Sequence, residues 1–129
     1  MKSILFACFL LTATCSVGFV QQVTAQTATT VSATDFTAKV NQMDTQIGAS
    51  DMTNANATWL SIHNLMKAEL AATKSKIAGA ATTTDKRFYS TLMNKQIALY
   101  QAIWKLKADL TTNRATIHSK LGEFANTIQ

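Results

Sequence analysis

The chain has 129 residues, a net charge of +5, two cysteines and no proline. Both cysteines, Cys8 and Cys15, lie in a segment that we predict to be removed. The remaining chain of roughly 104 residues therefore excludes a disulfide scaffold, a thiol nucleophile and a cysteine-ligated metal site. That length fits one domain with a core of its own.

The first 25 residues have the features of a secretory signal peptide. Lys2 supplies a positive start, an apolar run extends from Ile4 to Val20, and Val23-Thr24-Ala25 ends the segment with a small residue. Small and polar residues interrupt the run, which is short for a membrane span of about 20 apolar residues. We predict cleavage near Ala25 and export to the periplasm or the extracellular space, rather than an uncleaved anchor or lipidation at Cys15.

Eleven basic and seven acidic residues remain after that segment is removed, a net charge of +4. The basic residues are spread along the sequence, whereas nucleic-acid-binding chains usually cluster them. We therefore expect no nucleic-acid partner. A mildly basic protein leaves contact with an anionic surface open.

The first predicted helix follows a Thr- and Ala-rich stretch over residues 26–31, which we expect to be a disordered leader. Residues 32–129 should form a single helical domain. Ser32 and Asp35 have the spacing of a capping box, and Gly48 is suited to end the helix. The apolar stripe of this helix consists of Phe36, Val40, Met43 and Ile47.

The second predicted helix begins after Ser50 or Asp51 and ends near Gly79. Its charged residues, including Glu69 and three lysines, are expected at the margins of the apolar stripe or on the opposite side. The stripe consists of Met52, Ala55, Trp59, Ile62, Met66, Leu70, Thr73 and Ile77.

The third predicted helix runs from Asp85 to about Leu110, and a short turn joins it to the second. The two helices are each about 40 Å long at 1.5 Å per residue, so we expect them to pack as an antiparallel hairpin. The predicted core stripe of the third helix consists of Phe88, Leu92, Leu99, Ile103, Leu106 and Leu110.

A second apolar stripe lies beside the first on the same helix. One interpretation is that Phe36 and Val40 of the first helix cover part of it, and this partial cover is the one we favour. The other is an exposed strip that grips a partner or assembles protomers. We name this candidate interaction strip by its residues: Tyr89, Met93, Ile97, Tyr100 and Trp104.

The sequence leaves the course of residues 85–128 open between one helix and two. The apolar stripe resumes in phase after Leu110, which favours continuity, whereas Thr111-Thr112-Asn113 is a weak point. The predicted fold is all-α: a long antiparallel helical hairpin with a short N-terminal helix, in a small three- or four-helix bundle. A similarity between residues 66–77 and residues 106–117 suggests an internal duplication or chance likeness between amphipathic helices.

Few polar side chains are placed to converge. The two histidines, His63 and His118, should lie far apart, and neither has another metal ligand three or four residues away. Three of the aspartates fall at predicted helix starts, where a negative charge is favoured. We predict no catalytic residue, no cofactor and no metal site, and therefore no enzyme.

The sequence thus predicts an exported, non-enzymatic helical protein that interacts or assembles through apolar helix faces. Its partner would be another protein or a second copy of the chain. The alternative is a basic helical holdase or envelope-surface-binding protein that engages unfolded clients, anionic lipid or polymer. An exposed strip on a stable monomer would favour the alternative, and a strip buried between protomers would favour assembly.

Overall fold

The computed structural model describes residues 30–129, and these form four α-helices and no strand. The helices are α1 Ala33–Gly48, α2 Met52–Gly79, α3 Thr83–Leu106 and α4 Arg114–Ala125, with a 3-10 turn at Lys107–Asp109. The all-α class and the small bundle are confirmed. The predicted signal peptide and residues 26–29 of the predicted leader lie outside the described residues.

Local side-chain chemistry starts the first three helices. Each begins with a side-chain oxygen that accepts a hydrogen bond from the backbone N–H three residues later, and the residues that supply it are Ser32, Asp51 and Thr82. Such a bond satisfies an amide that has no partner within the helix. Packing begins slightly earlier in the chain, because Val31 is already buried in the core.

The four helices form a closed ring in which each packs against its sequence neighbour and α4 returns to α1. α1 contacts α2 and α4, and α3 contacts the same two helices, so α1 and α3 lie diagonally across the bundle. Phe36, which we expected to help cover the second stripe of α3, instead stacks on Phe124 of α4 with ring centroids 5.6 Å apart.

Residues 85–128 form two helices, which settles the question that the sequence left open. After Leu106 the chain turns, and Asn113 Nδ2 donates to the Leu106 carbonyl at 2.9 Å. The Thr112 N–H donates to Asp109 Oδ1 at 2.8 Å within the same turn. Folding back completely buries three residues of the second half of the apolar pattern: Ile117, Leu121 and Phe124.

The two similar segments of the sequence take up different structures. Residues 66–77 lie inside α2, whereas residues 106–117 include the 3-10 turn, the connection and the start of α4. Their likeness therefore does not extend to a shared local fold.

The helices differ in length, and this divides the molecule into two regions. α2 and α3 have 28 and 24 residues, whereas α1 and α4 have 16 and 12. The last fully buried residue of α2 is Thr73 and the first of α3 is Gln96. We call residues 74–95 the hairpin tip and the remaining described residues the body. From Thr83 to Gln96 the tip extends about 20 Å at 1.5 Å per residue.

The projecting tip corrects one predicted core position. Phe88 was assigned to the core stripe of α3, but its side chain is 49% exposed. Leu92, one turn later, is half-buried. Both positions lie before Gln96, where only α2 packs beside α3, so the helical spacing is right but the covering helices are missing.

Candidate interaction surface

Three aromatic rings meet where α2 and α3 pack together on the surface of the body. Tyr100 and Trp104 are four residues apart on α3, and their rings lie nearly parallel with centroids 6.4 Å apart. His63 of α2 contacts both, with ring centroids 5.6 Å from Tyr100 and 4.9 Å from Trp104. The Tyr100 hydroxyl lies 3.5 Å from His63 Nδ1. We call these three residues the aromatic cluster.

The outer edge of the aromatic cluster is exposed. The Trp104 side chain is 49% exposed, and Leu60, one turn before His63 on α2, is 58% exposed. A tryptophan of α3 and a leucine of α2 are thus both about half open to water. The other tryptophan, Trp59, is buried in the core.

The charges around the cluster are positive. Burial, together with the positive charges of Lys67 and Lys107, lowers the pKa of His63 below its usual value of 6.5. The imidazole is therefore neutral at pH 7. Lys107 Nζ lies 5.6 Å from the centroid of Trp104, in the range of a cation–π contact.

The remaining members of the candidate interaction strip continue along α3 toward its first turn. Ile97, Met93 and Tyr89 are half-buried beside α2, and Lys76 Nζ of α2 lies 6.0 Å from the centroid of Tyr89. The strip is therefore continuous but uneven. Its Trp104 end is the most exposed and belongs to the body, whereas Tyr89 and Met93 belong to the hairpin tip.

Sequence reasoning missed a buried polar layer at the boundary between body and tip. Glu69, which we placed at the margin of α2 or opposite its stripe, is only 1% exposed. Gln96 Nε2 of α3 donates to Glu69 Oε1 at 3.4 Å and to the Thr127 carbonyl at 3.2 Å. Thr73 Oγ1 also donates to Glu69 Oε1 at 3.4 Å. The sequence contains a signal for the burial of Glu69, because this residue follows the core residue Met66 by three positions.

The environment of Glu69 favours its neutral form. Burial raises the pKa of Glu69 above its usual value, and this effect is opposed by Lys76 and by the hydrogen bonds that the carboxylate accepts. Gln96 Oε1 is buried without a hydrogen-bond partner. A protonated Glu69 could donate to that oxygen, whereas a carboxylate can only accept.

A cavity of about 300 Å³ borders this layer, lined by Glu69, Ala72, Ser75, Lys76, Gln129 and Thr30. Lys76 Nζ donates to the carbonyl of Gln129 at its edge. The polar groups therefore contact one another and hold the last described residues against the ends of the neighbouring helices. These contacts give the polar groups a structural role.

A second polar group joins α1 to α4. Arg114 Nε and Nη2 donate to the two carboxylate oxygens of Asp44 at 2.7 and 2.8 Å, and His118 Nδ1 lies 3.8 Å from Asp44 Oδ1. These hydrogen bonds from Arg114 lower the pKa of Asp44 below its usual range. An open cleft of about 600 Å³ lies beside the pair. The paired geometry fixes α4 on α1 after the chain has folded back.

Within residues 30–129, no three His, Cys, Asp or Glu side chains come close enough to hold a metal ion. In the same residues, each helix is too short or too polar to cross a bilayer. Comparison of the chain with protein-family models, with curated proteins and with solved structures gives no match. We therefore infer the function from the surface of the described residues.

Proposed function

We propose that this chain is an exported, non-enzymatic interaction protein that binds a protein partner through the aromatic cluster and the adjoining strip of α3. The observation that carries the proposal is the 49% exposure of Trp104, whose ring lies against those of Tyr100 and His63 at the surface of a well-packed body. Tryptophan and tyrosine are the residues that most often dominate binding energy at protein interfaces.

The cluster has the build of a binding site with a rigid base. Tyr100 and His63 are half-buried and hold one side of the Trp104 ring. A ring fixed in this way loses little conformational freedom when a partner covers it, so less of the binding energy is lost to ordering. Leu60 and Lys107 widen the surface with one apolar and one charged side chain.

The buried polar groups support the non-enzymatic part of the proposal. Glu69 contacts Thr73 and Gln96, and Asp44 forms a two-bond pair with Arg114. These contacts give each group a structural role. The basic and apolar start of the sequence supports export. The mass of the mature protein, purified from the producing cells, would test whether the chain is cleaved near Ala25.

Light scattering over a concentration series tests whether the partner is a second copy. We expect Trp104→Ala to weaken association at least tenfold, because it removes the largest exposed apolar side chain. The helical circular dichroism of the variant should match that of the wild type. Phe88→Ala is the matched control, since Phe88 is an equally exposed aromatic residue outside the cluster.

A wild-type chain that stays monomeric directs the test to a different protein. A photo-crosslinking amino acid at position 104 should then yield a discrete adduct in the producing cells, and one at Thr37, an exposed residue of α1, should not. A monomer that gives no adduct from position 104 would contradict the proposal. So would unfolding of Trp104→Ala, because Trp104 would then serve the core.

A further inference from the structure

The hairpin tip carries the whole net charge of the described chain. Residues 74–95 hold a single acidic residue, Asp85, and five basic ones: Lys74, Lys76, Lys86, Arg87 and Lys95. The body holds six basic and six acidic residues and is neutral as a whole. The basic residues look dispersed along the sequence, but the fold gathers these five at one end of the molecule.

The same tip exposes apolar side chains. Phe88 is 49% exposed, and its ring meets that of Tyr89 edge to face with centroids 5.2 Å apart. No residue from 83 to 95 is buried. The connection at the end of the hairpin is built from small residues, Ala78-Gly79-Ala80-Ala81, with Gly79 and Ala81 exposed. The hairpin tip thus combines exposed apolar side chains with a net positive charge.

We propose that the hairpin tip binds the surface of membranes that contain anionic phospholipid. The exposed basic side chains would pair with lipid phosphates, Lys76 being held by the Gln129 carbonyl, while Phe88 and Tyr89 enter the boundary between headgroups and acyl chains. Binding of this kind needs both positive charge and exposed apolar area, and the tip presents both. The inference does not rest on the aromatic cluster around Trp104, although Tyr89 belongs to both the tip and the strip of α3.

Charge and shape favour this partner over two others. A second copy would bring two strongly positive tips together, which Coulomb repulsion opposes. A folded protein would need a deep acidic cavity to receive a projection about 20 Å long, whereas a fluid bilayer surface adapts to a convex one. The single acidic residue of the tip is engaged, because Thr82 Oγ1 donates to Asp85 Oδ2 at 2.7 Å.

The test measures binding of the mature chain to phosphatidylcholine vesicles with and without phosphatidylglycerol, by co-sedimentation. We expect binding only to the anionic vesicles and weaker binding at high salt. Lys86→Gln combined with Arg87→Gln should reduce the affinity by about 25-fold, since each basic residue near an anionic surface contributes roughly fivefold. Phe88→Ala should reduce it by roughly tenfold.

Matched controls separate the tip from the overall charge. Lys39→Gln combined with Lys105→Gln removes the same charge from exposed positions of the body and should change the affinity by less than about twofold. Trp104→Ala should leave vesicle binding unchanged. Circular dichroism checks that every variant keeps its helices.

Several results would overturn the inference. These are the absence of binding to anionic vesicles, equal binding to neutral vesicles, and an equal loss from the two pairs of charge substitutions. Full binding by Phe88→Ala would also overturn it, because simple attraction to any polyanion would then suffice. So would binding to double-stranded DNA that matches vesicle binding at equal phosphate and is likewise weakened by Phe88→Ala.

Discussion

The body and the hairpin tip are made of the same two helices, yet they use their residues differently. In the body, α2 and α3 are covered by α1 and α4, and core side chains such as Ile62 and Ile103 are completely buried. In the tip the same two helices pack mainly against each other, with Gln129 reaching the base of the tip at Lys76, and Phe88 remains half exposed. An amphipathic pattern therefore specifies which face a helix can bury, while the reach of the neighbouring helices decides how much of that face is buried.

Two phenylalanines provide the sharpest test of this difference. Phe124 is fully buried against Phe36 in the body, and Phe88 lies in the tip. Phe124→Ala should lower the free energy of unfolding by about 3–5 kcal/mol, whereas Phe88→Ala should cost less than about 1 kcal/mol. Urea denaturation of the two variants measures both values. Similar losses at the two sites would show that the tip is packed as tightly as the body.

The polar layer at the boundary should respond to pH through Glu69. Because burial raises the pKa of folded Glu69 above its ordinary value of 4.5, the group contributes fully to stability below about pH 4.5. That contribution is lost as the pH rises through the pKa of the folded state. Glu69→Gln removes the titration and supplies an amide that can donate to Gln96 Oε1.

We expect Glu69→Gln to be more stable than the wild type by about 1–3 kcal/mol at pH 7, with the difference shrinking toward pH 4.5. Thermal unfolding across that range measures the difference. Glu123→Gln is the control, because Glu123 is exposed in the body. A difference between Glu69→Gln and the wild type that is the same at every pH would show that Glu69 does not titrate differently on folding.

Hydrogen exchange should resolve the two regions along a single helix. We expect backbone amides from about residue 87 to residue 92 of α3 to exchange roughly tenfold faster than those from residue 99 to residue 103, a difference of about 1.4 kcal/mol in opening free energy. Segments with few buried contacts open more easily without unfolding the whole domain. Uniform protection along α3 would mean that body and tip open as one unit.

Much of the fold could be predicted from local sequence. The cap at Ser32 and the stripe of α1 are predicted correctly, and Asp51 is one of the two caps predicted for α2, because these signals depend on residues within a few positions of one another. The strip of α3 was named as a candidate surface from its spacing alone. The sequence does not indicate its neighbour His63, because only the antiparallel register between α2 and α3 brings that ring onto Trp104.

The two wrong predictions, for Glu69 and Phe88, share a cause, because the burial of each residue depends on which residues of the neighbouring helices lie opposite it. The charge of Glu69 predicts a position outside the core, but Gln96 and Thr73 provide hydrogen-bond partners for it inside. The helical spacing of Phe88 from the core residues of α3 predicts a buried position, but no third helix reaches it. A single helical sequence does not contain the identity of its neighbours.

The sequence by itself determined the all-α class, the helix starts and the faces that the helices can bury, since helical period and capping act over short distances. Only the tertiary structure decided where the long C-terminal pattern turns back. An uninterrupted helix would have kept the pattern in phase, but turning back buries Ile117, Leu121 and Phe124. The same structure decided that five dispersed basic residues lie on one projecting hairpin, because the paired long helices extend beyond the two short ones that cover their other end.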